Sequence, residues 1–176
     1  MANRKRILIV DGYNVLNFGW PGLLGKQIDD ARDKFIEQLH DYAGYSDQTV
    51  VAVFDAWRSD RMERSSQTRG KLTITFTRRL ETADEYIERL CEQHRRDAEL
   101  GKIEMRVATS DLVEQTLIFG RGATRMSARE LLSEMEGMRN AGIKSAKPKT
   151  TAKATVMDGL PASVREKLEQ LRRGNG

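Results

Sequence analysis

Three predicted strands in the sequence lead into an aspartate, and this repeated pattern constrains the fold more than any other feature. Residues 7–10 read Ile-Leu-Ile-Val and precede Asp11, and "TVVAVFDA" and "EMRVATSD" reach Asp55 and Asp111 in the same way. The first two segments are uninterrupted apolar runs, which are typical of parallel strands buried on both faces, and the third is predicted to be a further strand. The carboxyl ends of parallel strands meet at one edge, where α/β proteins bind their ligands. The three aspartates are therefore predicted to converge.

Helical patterns separate these runs. Apolar residues at helical spacing from 28 to about 42 predict one helix. Two S/T-x-x-E capping boxes, Thr82 with Glu85 and Ser127 with Glu130, predict the starts of two more. "LTITFT" alternates apolar residues with threonines and fits a strand with one polar face, near an edge of the sheet. Strands and helices in alternation predict an α/β domain with a mainly parallel sheet.

Between these elements lie segments that we predict to be loops. The stretch after the first strand, with Tyr13, Phe18 and Trp20, is assigned to a loop. Phe18 and Trp20 are expected to pack against their own domain, whereas Trp57 is equally suited to packing and to stacking on an unpaired base. "GRGAT", residues 120–124, is expected to form a turn.

Length and cysteine content narrow the class of protein. A chain of 176 residues is long enough for one domain with a core and a tail. The single cysteine, Cys91, excludes an internal disulfide framework and a Cys/His metal cluster. The apolar runs are too short for a signal peptide or a membrane span, so we expect a cytoplasmic protein without a membrane partner.

Charge is unevenly distributed along the chain. From residue 141 onward eight Lys or Arg residues stand against three acidic ones, so +5 of charge lies there and the body, of the total +4, carries −1. We predict a domain at 1–140 and a basic segment at 141–176, formed by a linker and a short amphipathic helix in "LPASVREKLEQLRRG". That helix is expected either to dock on its own domain, which we favour, or to hold RNA or a ribosome.

A second basic segment lies inside the domain. Seven basic residues between 58 and 79 face only two acids, Asp60 and Glu63. A basic loop beside a nearly neutral body suggests a polyanionic partner, although a solvated loop would have the same composition. The candidate RNA-binding residues of this segment are Trp57, Arg58, Arg61, Arg64, Arg69, Arg78 and Arg79.

The acidic residues at the predicted edge suggest a metal site. They are Asp11, Asp55, Glu81, Asp84 and Asp111. Carboxylates gathered in one cleft repel each other unless a cation lies among them, and oxygen ligands without His or Cys suit Mg²⁺ or Mn²⁺. His40 and His94 lie on predicted amphipathic helices and are interpreted as structural or surface residues. For Asp84 alone, interaction with the helix dipole explains its position equally well.

The motifs together resemble a known family. "LIVDGYNVL", "VVAVFDA", "TFTRRLETADEYIERL" and the closing "LPASVREKLEQLRRG" are similar to the YacP-like NYN-domain proteins of the PIN-like nuclease superfamily. The resemblance implies a PIN-like three-layer α/β/α fold and a metal-dependent endoribonuclease, with mRNA on the translating ribosome as substrate. It places catalytic acids at Asp11 and Asp84, with Asn14, Asp55, Glu81 and Asp111 as companions. Arg78 and Arg79 depart from the family's usual residues, which affects the expected substrate preference.

Other enzyme classes fit the residues less well. A haloacid-dehalogenase phosphatase needs a second carboxylate two residues after the first, where this chain has Tyr13. A dinucleotide-binding domain needs G-x-G-x-x-G after the first strand, which "DGYNVLNFG" does not supply. The alternative interpretation is a catalytically silent RNA- or ribosome-binding module with the same fold. In either case we expect a monomer. If the protein is a hydrolase, a carboxylate site without a positioned His or Lys predicts attack by water, giving 5′-phosphate and 3′-hydroxyl ends.

Overall fold

The structure is a computed structural model that describes residues 4–56, 62–110 and 122–146, with side chains described up to residue 142. The chain divides into two compact units, Met1–Ala141 and Gly142–Gly176. The linker predicted to begin at 141 is corrected in its first residues, because 141–146 continue a helix. The rest of that linker, from 147, and the C-terminal amphipathic helix lie outside the described residues, as do Trp57, Arg58, Arg61 and Asp111. Among the helices that the structure describes, none is long and apolar enough to span a bilayer.

A six-stranded sheet forms the centre of the first unit. The strands are β1 (Lys5–Asp11), β2 (Thr49–Phe54), β3 (Ser65–Arg69), β4 (Leu72–Phe76), β5 (Ile103–Ala108) and β6 (Thr124–Met126). Their order is β3-β4-β2-β1-β5-β6, and every pairing is parallel except that of β3 with β4. The predicted α/β fold with a mainly parallel sheet is confirmed, and β1 lies inside the sheet between β2 and β5.

Helices cover both faces of this sheet and give the three layers. The described helices are α1 (Gly12–Gly19), α2 (Lys26–Ser46), α3 (Ala83–Glu99) and α4 (Ala128–Ala146). Because side chains alternate along a strand, β1 supplies both cores. Leu8 and Val10 pack with residues of α1, α2 and α4, whereas Ile7 and Ile9 pack with Ile87 of α3.

Both predicted capping boxes are present. The Thr82 side chain accepts from the Glu85 backbone N–H at 3.2 Å, and the Glu85 carboxylate accepts from the Thr82 backbone N–H at 3.2 Å. Ser127 and Glu130 exchange the same two hydrogen bonds at the start of α4. Each box satisfies backbone donors that a helix start would otherwise leave unpaired, which fixes where α3 and α4 begin.

Two predicted loops are corrected by the structure, and the predicted turn at 120–124 leads into a strand that was not predicted. The segment after β1 is a helix, α1, because Asp11 caps it and Val15 and Leu16 are buried in the core. The basic segment contains β3, a strand of mostly polar residues that pairs with β4 through a turn at Gly70. After the expected turn, where Gly122 has a φ of +76°, the chain forms the short strand β6.

A polar network lies on the face of the sheet that α2 and α4 cover, away from the carboxyl ends of β1 and β2. The Tyr42 hydroxyl donates to Glu134 Oε2 at 2.7 Å and accepts from Gln48 Nε2 at 2.9 Å. Arg106 donates to Gln48 Oε1 at 3.1 Å and to Glu134 Oε1 at 3.2 Å. The network joins α2, β5 and α4, and each polar side chain in it has at least two hydrogen bonds.

Replacing Tyr42 with phenylalanine should lower the free energy of unfolding by about 1–2 kcal/mol at neutral pH, because Gln48 and Glu134 lose a partner. Burial, followed by the hydrogen bond to Glu134, raises the pKa of Tyr42 from 10.0 to about 12. The unfolded chain therefore loses the phenolic proton first, and stability falls as pH rises from 10 towards 12. Urea unfolding across this range should show a shallower fall for the Y42F variant. An equally steep fall in both proteins would contradict the assignment.

Candidate functional site at the carboxyl edge of the sheet

Two aspartates lie on the same face of neighbouring strands. Asp11 ends β1 opposite Val53 of β2, and Asp55 follows two residues later. Ile9 and Val53 both pack in the core beneath α3, so the alternation of side chains directs Asp11 and Asp55 to that same face. From strand spacing and rise, their Cα atoms are about 8 Å apart. The structure thus brings these two predicted residues to one edge.

Each of these carboxylates binds the start of a helix. Asp11 is buried, and its side chain accepts from the Asn14 backbone N–H at 3.2 Å, which caps α1. Asp55 Oδ1 accepts from the backbone N–H of Ala83, the first residue of α3, at 2.5 Å. Burial raises the pKa of Asp55 and the charge of Glu85 raises it further, against the opposing hydrogen bond from Ala83. The positive ends of two helix dipoles therefore face two carboxylates.

Asn14 connects this edge to the end of β5. Its Oδ1 atom accepts from the Ser110 backbone N–H at 2.6 Å, across 96 residues of sequence. Ser110 is the last described residue before the segment that carries Asp111. Asn14 thus fixes the backbone from which Asp111 follows.

Asp84 is the second residue of α3 and its side chain is exposed. It follows Ala83, whose N–H binds Asp55, so its backbone lies at the same edge. Within residues 4–56, 62–110 and 122–146, no three His, Cys, Asp or Glu side chains are arranged to hold a metal ion. The dipole interpretation of Asp84 thus stays open beside the metal one.

Glu81 is a buried carboxylate surrounded by donors. Its Oε2 accepts from Arg64 Nε at 3.1 Å and from the Arg78 backbone N–H at 3.4 Å. Its Oε1 accepts from Arg64 Nη2 and, at 2.8 Å, from Arg89 Nη2. Burial opposes ionisation, but these hydrogen bonds, with Arg64 foremost, hold the pKa of Glu81 below its usual value. Because a carboxylate has about four acceptor positions, this geometry favours a positioning role over metal ligation.

The described arginines of the basic segment fall into two groups. Arg64 is bound to Glu81 and lies over the Tyr86 ring, 4.4 Å from its centroid. Arg69 pairs with Glu37 at 2.6 Å. The other two, Arg78 and Arg79, are exposed beside the start of α3. Half of the described set is thus already paired with acids.

The aromatic residues that follow Asp11 pack against the domain. Tyr13 is buried and meets Phe54 edge to face, with ring centroids 5.2 Å apart. The Trp20 ring lies 6.2 Å from that of Phe35, and Arg129 lies over Phe18 at 6.0 Å. This agrees with the packing role expected for Phe18 and Trp20, although both keep an exposed edge.

Two contributions to the edge were missed in the sequence. Thr77 is buried, and its Oγ1 accepts at 3.0 Å from the backbone N–H of Ala56, the residue that follows Asp55. Arg89 reaches Glu81 from two turns along α3. Glu81 and Arg89 are eight residues apart, one on each side of the capping box, and this spacing could have indicated an ion pair along α3. Nothing in the pattern of threonines distinguishes Thr77.

The chain is similar to known proteins over nearly its whole length. Residues 8–173 match the YacP-like NYN domain. The protein YacP of Bacillus subtilis (strain 168) is 37% identical over 172 residues, which span 96% of this chain and 98% of that protein. The crystal structure of Bacillus subtilis Rae1 (YacP) superposes with a TM-score of 0.64 at 37% identity, covering 96% of this chain and 95% of the other. A crystal structure of a point mutant of Rae1 gives a TM-score of 0.66 at 33% identity, covering 94% of this chain and 99% of the other. The chain therefore belongs to the YacP-like NYN domain family.

Proposed function

We propose that this protein is a metal-dependent endoribonuclease whose active site is the carboxyl edge of β1 and β2. Membership of the NYN domain family implies a nuclease-family protein and an RNA substrate. The observation that supports the site most directly is the placement of Asp11 and Asp55 on one face of adjacent parallel strands, each against a helix start. An edge of this kind binds ligands in α/β proteins.

The donor set fits a hard divalent cation. The described acids at this edge include Asp11, Asp55 and Asp84, and carboxylate oxygens of this kind suit Mg²⁺ or Mn²⁺. Asp111, from the sequence pattern, is proposed as a further ligand. The two histidines lie on α2 and α3, and His40 is near Gly70, at the amino end of β4. When bound, such a cation supplies a more acidic water and stabilises negative charge on the phosphate.

The side chains around this edge have separate proposed roles. Asp11 and Asp55 hold the negative charge at fixed positions because helix starts orient both carboxylates. The Oδ1 atom of Asn14 accepts from the Ser110 N–H, which fixes the orientation of the amide. The Nδ2 group of the same amide is a donor, and we assign it to a phosphate oxygen of the substrate. Glu81 positions the chain that leads into α3. Both histidines lie on helices, so neither is proposed as the base that activates the ribose 2′-hydroxyl, and attack by water is favoured.

We further propose that the substrate is mRNA presented by the translating ribosome. Residues 1–140 carry a net charge of −1. In the basic segment between 58 and 79, two of the four described arginines, Arg64 and Arg69, are paired with acids. Such a body offers few free cations for holding a long RNA, since affinity for the phosphate backbone depends on them. A scaffold that presents the strand would compensate for this. The protein would act as a monomer in the cytoplasm.

A second candidate is a catalytically silent RNA- or ribosome-binding module of the same fold. It is favoured by the finding that the described residues hold no group of three potential ligands arranged for a metal ion. The two candidates differ in one observable, which is cleavage that depends on a divalent cation.

Purified protein incubated with ribosome-bound mRNA should cut it in Mg²⁺ or Mn²⁺ and leave it intact in EDTA. We expect 5′-phosphate and 3′-hydroxyl ends, which primer extension and ligation to the new ends can identify. The same transcript without ribosomes serves as the comparison and should be cut slowly. Cleavage in EDTA, or 2′,3′-cyclic phosphate ends, would contradict the metal-dependent reaction. Equal rates on both substrates would remove the ribosome from the proposal but keep the nuclease.

A further inference from the structure

A short exposed segment interrupts the buried chain next to the carboxyl edge. Residues Arg78, Arg79 and Leu80, here called the 78–80 turn, lie between the buried residues Thr77 and Glu81. The Leu80 side chain is 97% exposed, the most exposed of the large hydrophobic residues that the structure describes. Its φ is +69°, in the left-handed region that glycine occupies freely and leucine rarely does. Leu80 is therefore a large apolar side chain held in solvent on a strained backbone.

Both ends of the turn are fixed to the fold. The Thr77 backbone N–H donates to the Phe54 carbonyl at 3.0 Å, and its hydroxyl accepts from the Ala56 N–H at 3.0 Å. The turn is closed by a hydrogen bond from the Glu81 backbone N–H to the Arg78 carbonyl at 3.0 Å. The Glu81 carboxylate is held by Arg64 and Arg89. A backbone in a disfavoured region persists when its surroundings determine it in this way.

These anchors place the turn beside Asp55. Thr77 bonds to Phe54 and Ala56, the residues on either side of Asp55. Two residues after Glu81, the Ala83 N–H binds the Asp55 carboxylate itself. The chain therefore leaves the fold and returns to it at the same candidate metal-binding residue.

We propose that the 78–80 turn contacts single-stranded RNA next to the carboxyl edge, with Leu80 against an unpaired base and Arg78 and Arg79 facing phosphates. This rests on the function proposed above and adds the residues that hold the strand there. Apolar side chains can contact the faces of unstacked bases, and exposed guanidinium groups neutralise phosphates. The positive charge flanking Leu80 favours a polyanion over an apolar protein partner. Leu80 is thus a substrate-binding residue, and Glu81 is the positioning residue that presents it.

The test compares Leu80→Asn with Leu100→Asn. Asparagine accepts the left-handed backbone, so Leu80→Asn should not lower the melting temperature. Leu100 is also exposed but follows the far end of α3, and serves as the matched control. With a single-stranded RNA substrate in Mg²⁺, Leu80→Asn should raise KM about five- to tenfold with kcat nearly unchanged. Leu100→Asn should change neither KM nor kcat. Leu80→Met should keep the wild-type KM because methionine is also a large apolar side chain.

Each other result overturns the proposal in a distinct way. Equal KM values for wild type and Leu80→Asn would remove Leu80 from RNA binding while the nuclease assignment stands. A lower melting temperature for Leu80→Asn would show that Leu80 has a structural role instead. Loss of self-association in the variant, measured by light scattering, would identify a second copy as the partner. If the wild type binds a labelled oligonucleotide without cutting it, the proposed catalysis fails, and the affinities of the same variants then decide the role of the turn.

Discussion

Replacing Asp11 with asparagine should lower the rate of RNA cleavage about a thousandfold or more while the protein stays folded. The reason is that the carboxylate helps to bind the cation, which stabilises the negative charge on the phosphate during cleavage. Asparagine is as good a helix cap as aspartate, so the hydrogen bond to the Asn14 N–H, and with it α1, should be retained. Initial rates on ribosome-bound mRNA in saturating Mg²⁺ measure the effect. Circular dichroism and thermal melting check that the variant is folded.

A matched control for this variant is Asp47→Asn. Asp47 is an exposed aspartate that follows α2 and pairs with Lys71, at the edge of the sheet opposite Asp11. Its φ is +52°, a conformation that asparagine also accepts, so the substitution removes one negative charge with little structural change. Cleavage by Asp47→Asn should equal that of the wild type. A folded Asp11→Asn/Asp84→Asn double variant that still cleaves at the wild-type rate would rule out this site.

The elements that the sequence predicted correctly are those whose hydrophobic pattern is set by the core. Ile7–Val10 of β1 and Val50–Phe54 of β2 are apolar because helices cover both faces of these strands, and α2 and α3 carry apolar residues at helical spacing. The capping boxes were readable because each is a local arrangement within four residues. Local pattern and burial agree in these segments, and this agreement makes them predictable.

The elements that were missed lack such a pattern. β3 contains Ser65, Ser66, Gln67, Thr68 and Arg69, and it is a strand only because β4 offers a partner for its backbone. β6 has three residues, too few for any period to show. α1 has the sequence pattern of a loop because its eight residues begin and end with glycine, and glycine is typical of breaks between elements.

The candidate site was predictable in position but not in detail. Strand ends identified Asp11 and Asp55, since the topology of a parallel sheet is enough to bring them together. The role of Glu81 depends on Arg64, which reaches it from 17 residues away across the hairpin of β3 and β4. No local spacing encodes that contact, so sequence reasoning grouped Glu81 with the metal ligands.

Gly12, directly after Asp11, has a structural role that sequence reasoning did not identify. A Cβ atom added there would lie 2.3–2.6 Å from three atoms of the Phe54 ring, far inside van der Waals contact. Phe54 is fully buried between Tyr13 and Phe76, with ring centroids at 5.2 and 5.5 Å, so its ring has little space to move. The absence of a side chain at position 12 thus lets α1 begin against β2, which places the helix start over Asp11.

Gly12→Ala should therefore destabilise the protein by about 3 kcal/mol, at the upper end of the usual cost of overpacking a core. The direction is informative, because alanine in a helix is ordinarily more stable than glycine by about 1 kcal/mol. Gly44→Ala in α2 provides the control, since nothing lies within 4 Å of the added Cβ. Urea unfolding should show Gly44→Ala equal to or more stable than the wild type. A Gly12→Ala variant of wild-type stability would mean that Phe54 can move aside, and that α1 does not need glycine to approach the sheet.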